Sequence, residues 1–184
     1  MRKKTGFVLM VMAVLLLMSG CGKKTSEING NKIAFDQQYK DSYITYDYPG
    51  SLKEVSSDEN TYRYPLERRM EYEYYEDDKL AFVLIIEEHD AGISFAPLYD
   101  DQEALEKNPD IKNLEHETMK YNGKNFVYYS YNKDDEFGKN TLYHLYYGGY
   151  SYAGINEFIK IYFINADDLD DFEKNFMKSF KIKK

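Results

Sequence analysis

The sequence predicts an antiparallel α+β fold: a sheet of about six strands with helices packed on it as an α/β/α sandwich. Three observations lead there. Asn122-Gly123 sits between two strand-like runs, the strongest short hairpin signal, because both residues tolerate positive φ in a type I′ turn. Leu80 to Ile86 is apolar without a break, which suits a central strand covered on both faces. Near the end, Leu169, Phe172 and Phe176 repeat at helical spacing.

The elements follow in order. In "SYITYDYPGSL", Ile44, Tyr46 and Tyr48 alternate with Thr45 and Asp47 as in a strand, and Pro49-Gly50 ends it. "RRMEYEYYEDDKLAFVLII" reads as two strands joined at Glu76-Asp77-Asp78, with Met70, Tyr72 and Tyr74 on one face and Glu71 and Glu73 on the other. "YDDQEALEKNPD" is a short helix, with Asp100 and Asp101 at its start and Asn108-Pro109 at its end. "HETMKYNGKNFVYYSYN" is the hairpin, and "TLYHLYYGGYSYA" and "EFIKIYFIN" are two more strands. Gly148 and Gly149 are expected to bend the chain. The last helix carries Met177 and Phe180 on its apolar face. Asp167, Asp168, Asp170 and Asp171 crowd its start and Lys174 and Lys178 follow, the order that complements a helix dipole. Phe180 to Ile182 reads as a short final strand.

The beginning of the chain carries an address. Arg2, Lys3 and Lys4 precede an uncharged run from Phe7 to Met18, followed by Ser19, Gly20 and Cys21. A basic region, a short apolar region and small residues at a cut site make an export signal. The run is shorter than the roughly 20 apolar residues of a spanning helix. Met18-Ser19-Gly20-Cys21 resembles the lipobox of bacterial lipoproteins. The resemblance implies cleavage between Gly20 and Cys21 and a diacylglycerol on the Cys21 thiol. Cys21 is the sole cysteine of the chain, so no intramolecular disulfide supports the fold. The expected organisation is a signal peptide over 1–20, a lipidated N-terminus and flexible tether over 21–38, and one domain over 39–184.

The chain has 184 residues and a formal net charge of −8. Residues 1–20 hold three basic and no acidic residues, so their removal takes 164 remaining residues to −11. An acidic domain repels phosphate backbones, which argues against nucleic acid as a partner. The membrane partner is expected through the diacylglycerol on Cys21, not through charge. Twenty tyrosines against no tryptophan suit a strand-rich protein.

Over roughly residues 40–182 the chain resembles the PsbP/Mog1-like fold. The resemblance rests on "YITYDYPGSL", "YNGKNFVYYSY" and "IKIYFINADDLDDFEKNFMKSFKI". Members include extrinsic photosystem subunits, a nuclear-transport accessory factor and bacterial lipoproteins. What it implies is an α/β/α sandwich with binding or accessory work.

Motifs for chemistry fall short. "HETMK" has Lys120 where a zinc-protease helix needs its second histidine, and it reads as strand. "GYSYA" lacks the last glycine and the following helix of a nucleophile elbow. "NADDLDDFE" lacks the spacing and central glycine of a calcium loop. His89, His116 and His144 are scattered and read as surface or half-buried strand residues. No catalytic residue, cofactor or metal site is expected. The expected function is a membrane-anchored extracytoplasmic lipoprotein with a binding, scaffolding or accessory role. The alternative is a cell-envelope hydrolase using carboxylates that the sequence does not single out. Tyr143, Tyr146, Tyr147, Tyr150 and Tyr152 fall so densely in "YHLYYGGYSY" that some rings are expected at the surface, as contacts for a protein partner or a glycan.

Overall fold

Two-residue turns that need positive φ set the strand pairing. The computed structural model describes residues 24–55, 66–152 and 154–183. Asn29-Gly30, Asp77-Asp78 and Asn122-Gly123 all have φ between 48° and 80°, the geometry of a tight hairpin turn. The first joins β1 (Thr25–Ile28) to β2 (Asn31–Ala34), the second β6 (Leu66–Glu76) to β7 (Lys79–Gly92), and the third β8 (Ile111–Tyr121) to β9 (Lys124–Asp135). The remaining strands are β3 (Gln37–Lys40), β4 (Ile44–Tyr48), β5 (Lys53–Val55), β10 (Gly138–Tyr152), β11 (Ile155–Ile164) and β12 (Lys181–Ile182). The helices are α1 (Ala96–Glu106) and α2 (Asp170–Ser179).

Among the described residues the main sheet has seven strands, in the order β5-β6-β7-β11-β10-β9-β8. Each neighbouring pair in it is antiparallel. Two small sheets stand beside it, β1-β2 and β12-β4-β3. The expectation of about six strands therefore undercounts, because β1, β2, β3 and β5 are segments of three or four residues with little apolar pattern.

The sheet has a core on each face. Phe82, Leu84 and Ile86 of β7 join Phe172 and Phe176 of α2, while Val83 and Ile85 join Leu98 of α1. Alternation along a strand sends neighbours to opposite faces, and β7 is buried from Phe82 through His89. The doubly covered central strand is thus present. The sandwich holds only loosely, because α2 shares its face with the two small sheets, whose Ile28, Ile33, Ile44 and Tyr46 enter the same core.

Four local expectations are corrected. Residues 24–38 are not a free tether: β1 and β2 pair from Thr25↔Ala34 to Ile28↔Asn31, and Ile28 and Ile33 are buried in the core. The helix α1 starts at Ala96 with Pro97 in its first turn, where a proline's missing N–H is not needed. Gly148 and Gly149 do not bend β10. They pair in register with Ile159 and Phe158, and a side chain is excluded by crowding: a Cβ on Gly148 would lie 2.6 Å from Phe126 Cε1. Finally, His89 and His144 are buried. The His89 ring stacks on Phe158 at 4.9 Å, and only His116 is exposed.

Candidate functional site

A groove of about 380 Å³ lies where α2 crosses the β8–β9–β10 end of the sheet. Its floor is a cross-strand row. Glu117 of β8 is opposite Tyr128 of β9, and Tyr128 is opposite Tyr146 of β10. Directly opposed side chains on one face stand close enough to touch. The Tyr128 and Tyr146 rings are 4.9 Å apart at 47°, and Tyr121 meets Tyr146 edge-on at 6.2 Å. Met119 and Tyr121 complete the β8 wall. The other wall is α2, where Asp170, Lys174 and Lys178 recur four residues apart and so stack along one side of the helix, with Glu173 beside them.

Under the rings a buried carboxylate gathers two donors. Tyr146 donates to Glu173 Oε2 at 3.0 Å, and His144 Nδ1 donates to Glu173 Oε1 at 2.6 Å. Tyr128 leans edge-on against the same imidazole at 5.3 Å. The electrostatics are anionic. Burial raises the Tyr128 hydroxyl's pKa, and Glu173, Asp170 and Glu117 raise it further. Burial first and Glu173 next do the same to Tyr146.

The opposite face holds a closed charge network beneath α1. Glu87 meets Arg69 at 3.0 Å and Lys160 at 3.2 Å. Lys160 reaches Asp101 of α1 at 3.4 Å, and Tyr147 donates to Asp101 at 2.9 Å. This chain of contacts ties α1 to the sheet.

Four of the five β10 tyrosines expected at the surface are not there. Tyr143, Tyr146, Tyr147 and Tyr150 are all buried, because β10 lies inside the sheet and both of its faces are covered. Their hydroxyls are taken up by carboxylates: Tyr143 by Asp135, Tyr147 by Asp101, and Tyr150 by Glu157 and Glu88. Tyr152 ends β10, and its side chain lies outside the described residues. Of the four described side chains, Tyr146 lines the groove. Gly20 and Cys21, and the export signal with them, also lie outside the described residues.

Sequence reasoning missed the groove. The period-2 face Glu117, Met119, Tyr121 was readable in β8. That α2 would lie beside it is a tertiary fact. Among the described residues, no group of three or more His, Cys, Asp or Glu side chains is arranged to hold a metal. No helix among them is long and apolar enough to cross a membrane.

Comparison with solved structures identifies the architecture. Cyanobacterial PsbP (CyanoP) from Synechocystis sp. PCC 6803 aligns over 86% of this chain and 98% of its own, at 14% identity and a TM-score of 0.52. The chain has a PsbP-like fold. A protein from Bacteroides thetaiotaomicron VPI-5482 aligns over 77% of this chain at 13% identity and a TM-score of 0.45, and this chain spans 45% of its length. Protein PA94 of unknown function from Pseudomonas aeruginosa aligns over 83% of this chain and 89% of its own, at 13% identity and a TM-score of 0.36. No protein-family pattern matches the chain, and no curated protein matches it. The PsbP-like likeness is one of fold, and function has to be argued from the groove.

Proposed function

We propose that this protein is a lipid-anchored extracytoplasmic protein that binds a ligand or partner in the β8–α2 groove and has no reaction of its own. The observation that carries the binding role is the groove itself. The fold buries Tyr143, Tyr146, Tyr147 and Tyr150 of β10 and pairs their hydroxyls with carboxylates, yet leaves Tyr121 and Tyr128 half-buried along an open cleft. Half-exposed tyrosines on rigid strands offer contact area at low entropic cost. The anchor rests on Met18-Ser19-Gly20-Cys21. Two acyl chains hold a protein stably where one does so marginally.

The packed β1–β2 hairpin adds a geometric consequence. Four residue steps separate Cys21 from Thr25, where β1 begins, and that length of chain spans at most about 14 Å. A lipid on Cys21 would hold the domain close against the bilayer.

Membrane fractionation tests the anchor: Cys21→Ala should leave the membrane fraction or stay unprocessed. A variant that matures and remains membrane-bound after a salt wash would end that reading. The binding role is tested by quantitative crosslinking in the native membrane, where Tyr121→Ala with Tyr128→Ala should lose the wild-type adducts. Unchanged adducts would move the site elsewhere.

A further inference from the structure

We propose that the β8–α2 groove takes a short peptide with free termini, its ammonium at the Tyr128 end and its carboxylate at the Lys178 end. The proposal rests on the groove being the binding site. It follows from the way charge is laid out along the groove.

One end is anionic. Glu117 stands opposite Tyr128 in the β8–β9 ladder, Asp170 opens α2 on the facing wall, and Glu173 is held under the rings by His144 and Tyr146. All three carboxylates act on the Tyr128 hydroxyl, raising its pKa beyond what burial does alone. A cationic head entering here meets carboxylates and the negative faces of tyrosine rings together, the combination that favours an ammonium.

The other end is cationic. Asn122, in the β8–β9 turn, donates to the carbonyls of Lys178 and Phe180 at 3.0 and 2.6 Å. That clamp sets the last turn of α2 beside Tyr121. The Phe180 amide in turn occupies the Phe176 carbonyl. With these carbonyls paired, the Lys178 ammonium is the charge this end presents, and Lys174 follows one turn back along the same stripe.

The two walls agree on length. Glu117 to Tyr121 is four strand residues, about 13 Å. Asp170 to Lys178 is eight helical residues, about 12 Å. An extended tripeptide spans about 10 Å between its termini. Met119 and the tyrosine rings between the charged ends suit small apolar side chains. A neutral sugar would use the rings and leave the opposed charges unanswered.

Titration of the full mature protein, carrying methionine labelled at its methyl group, with tri-L-alanine tests this by NMR. The Met119 methyl signal is the reporter because it lines the groove. It should shift saturably at millimolar peptide. N-acetylation or C-amidation of the peptide should each weaken binding about fivefold, the scale of one exposed ion pair. Glu117→Gln should remove the effect of N-acetylation and Lys178→Gln that of C-amidation. Both residues are exposed, so folding is preserved. Equal binding of free and capped peptides would overturn the proposal. A chitotriose titration separates the two levels. If chitotriose shifts Met119 and tri-L-alanine does not, the peptide assignment falls and the groove stands. If neither shifts it, both fall.

Discussion

Glu87 and Glu88 are consecutive in β7, are 4% and 2% exposed, and enter opposite faces of the sheet with opposite electrostatic outcomes. Burial opposes the Glu87 charge, but the hydrogen bond from His89 and the charges of Lys160 and Arg69 win, and its pKa falls below the ordinary 4.5. Burial wins at Glu88: Arg68, 3.4 Å away, does not offset it, and the pKa rises above 4.5, with Glu157 adding to the rise.

The signs of the two contributions differ accordingly. Glu87 binds its proton more weakly folded than unfolded, so its stabilisation is present above pH 4.5 and is lost as pH falls below that. Glu88 binds its proton more tightly when folded, so stability declines as pH rises from 4.5 through its folded pKa. Glu88→Gln, which still accepts from Tyr150, is expected to raise the melting temperature at about pH 8 and to change little at about pH 4. Glu87→Gln is expected to lower it at the higher pH. Thermal melts across this range decide the matter, and a Glu88→Gln protein less stable than wild type at the higher pH would show the Arg68 pair dominating.

Phe176 has no exposed surface and is ringed by Tyr46, Phe163, Phe172 and Phe180 at centroid distances of 5.3 to 6.5 Å. It joins α2 to both the main sheet and the β12-β4-β3 sheet. Phe176→Ala is expected to cost about 3–5 kcal/mol, read from the urea midpoint at constant m-value. An unchanged midpoint would mean that α2 contributes little to the core.

Gly148 tests whether crowding, not flexibility, selects glycine in β10. A Cβ there would sit 2.6 and 2.9 Å from Phe126 and 3.3 Å from Ile159. Phe126 is itself wedged against Tyr121 and Phe180, so it has little room to yield. Gly148→Ala is expected to destabilise by about 1–3 kcal/mol. A variant as stable as wild type in urea would show that Phe126 repacks freely.

These cases also show what was legible in the sequence. The β8–β9 hairpin, the β6–β7 pair and α2 were readable because turn chemistry and apolar period agree within short windows. The same Asn-Gly signal occurs at Asn29-Gly30, where φ is 49° and 79°. It is easily passed over, since only Ile28 and Ile33 mark the flanking strands as apolar. The burial of Tyr143 to Tyr150 was not legible, because alternation reveals two faces but not what covers each. The groove was least legible of all. Glu117 and Lys178 lie far apart in sequence, and only the Asn122 clamp and the α2 crossing bring their walls together.

The β1–β2 hairpin gives the last and clearest test. As a flexible tether, residues 25–34 could be deleted without loss. In the fold, Ile28 and Ile33 are 1% and 5% exposed, and Phe35, just beyond, packs its ring 5.2 Å from Phe172. Ser26 donates to the Asp171 carbonyl at 3.3 Å, and Asn175 donates to Ser26 at 2.9 Å, so the hairpin is also bonded to α2. Burying two isoleucines contributes about 3 kcal/mol or more, and the Phe35 ring and the hydrogen bonds to α2 add to it. A mature form lacking residues 25–34 is therefore expected to melt well below the intact mature protein. It should also bind a hydrophobic dye on the exposed Phe172 surface. Equal melting temperatures and no added dye binding would return these residues to the role of a linker.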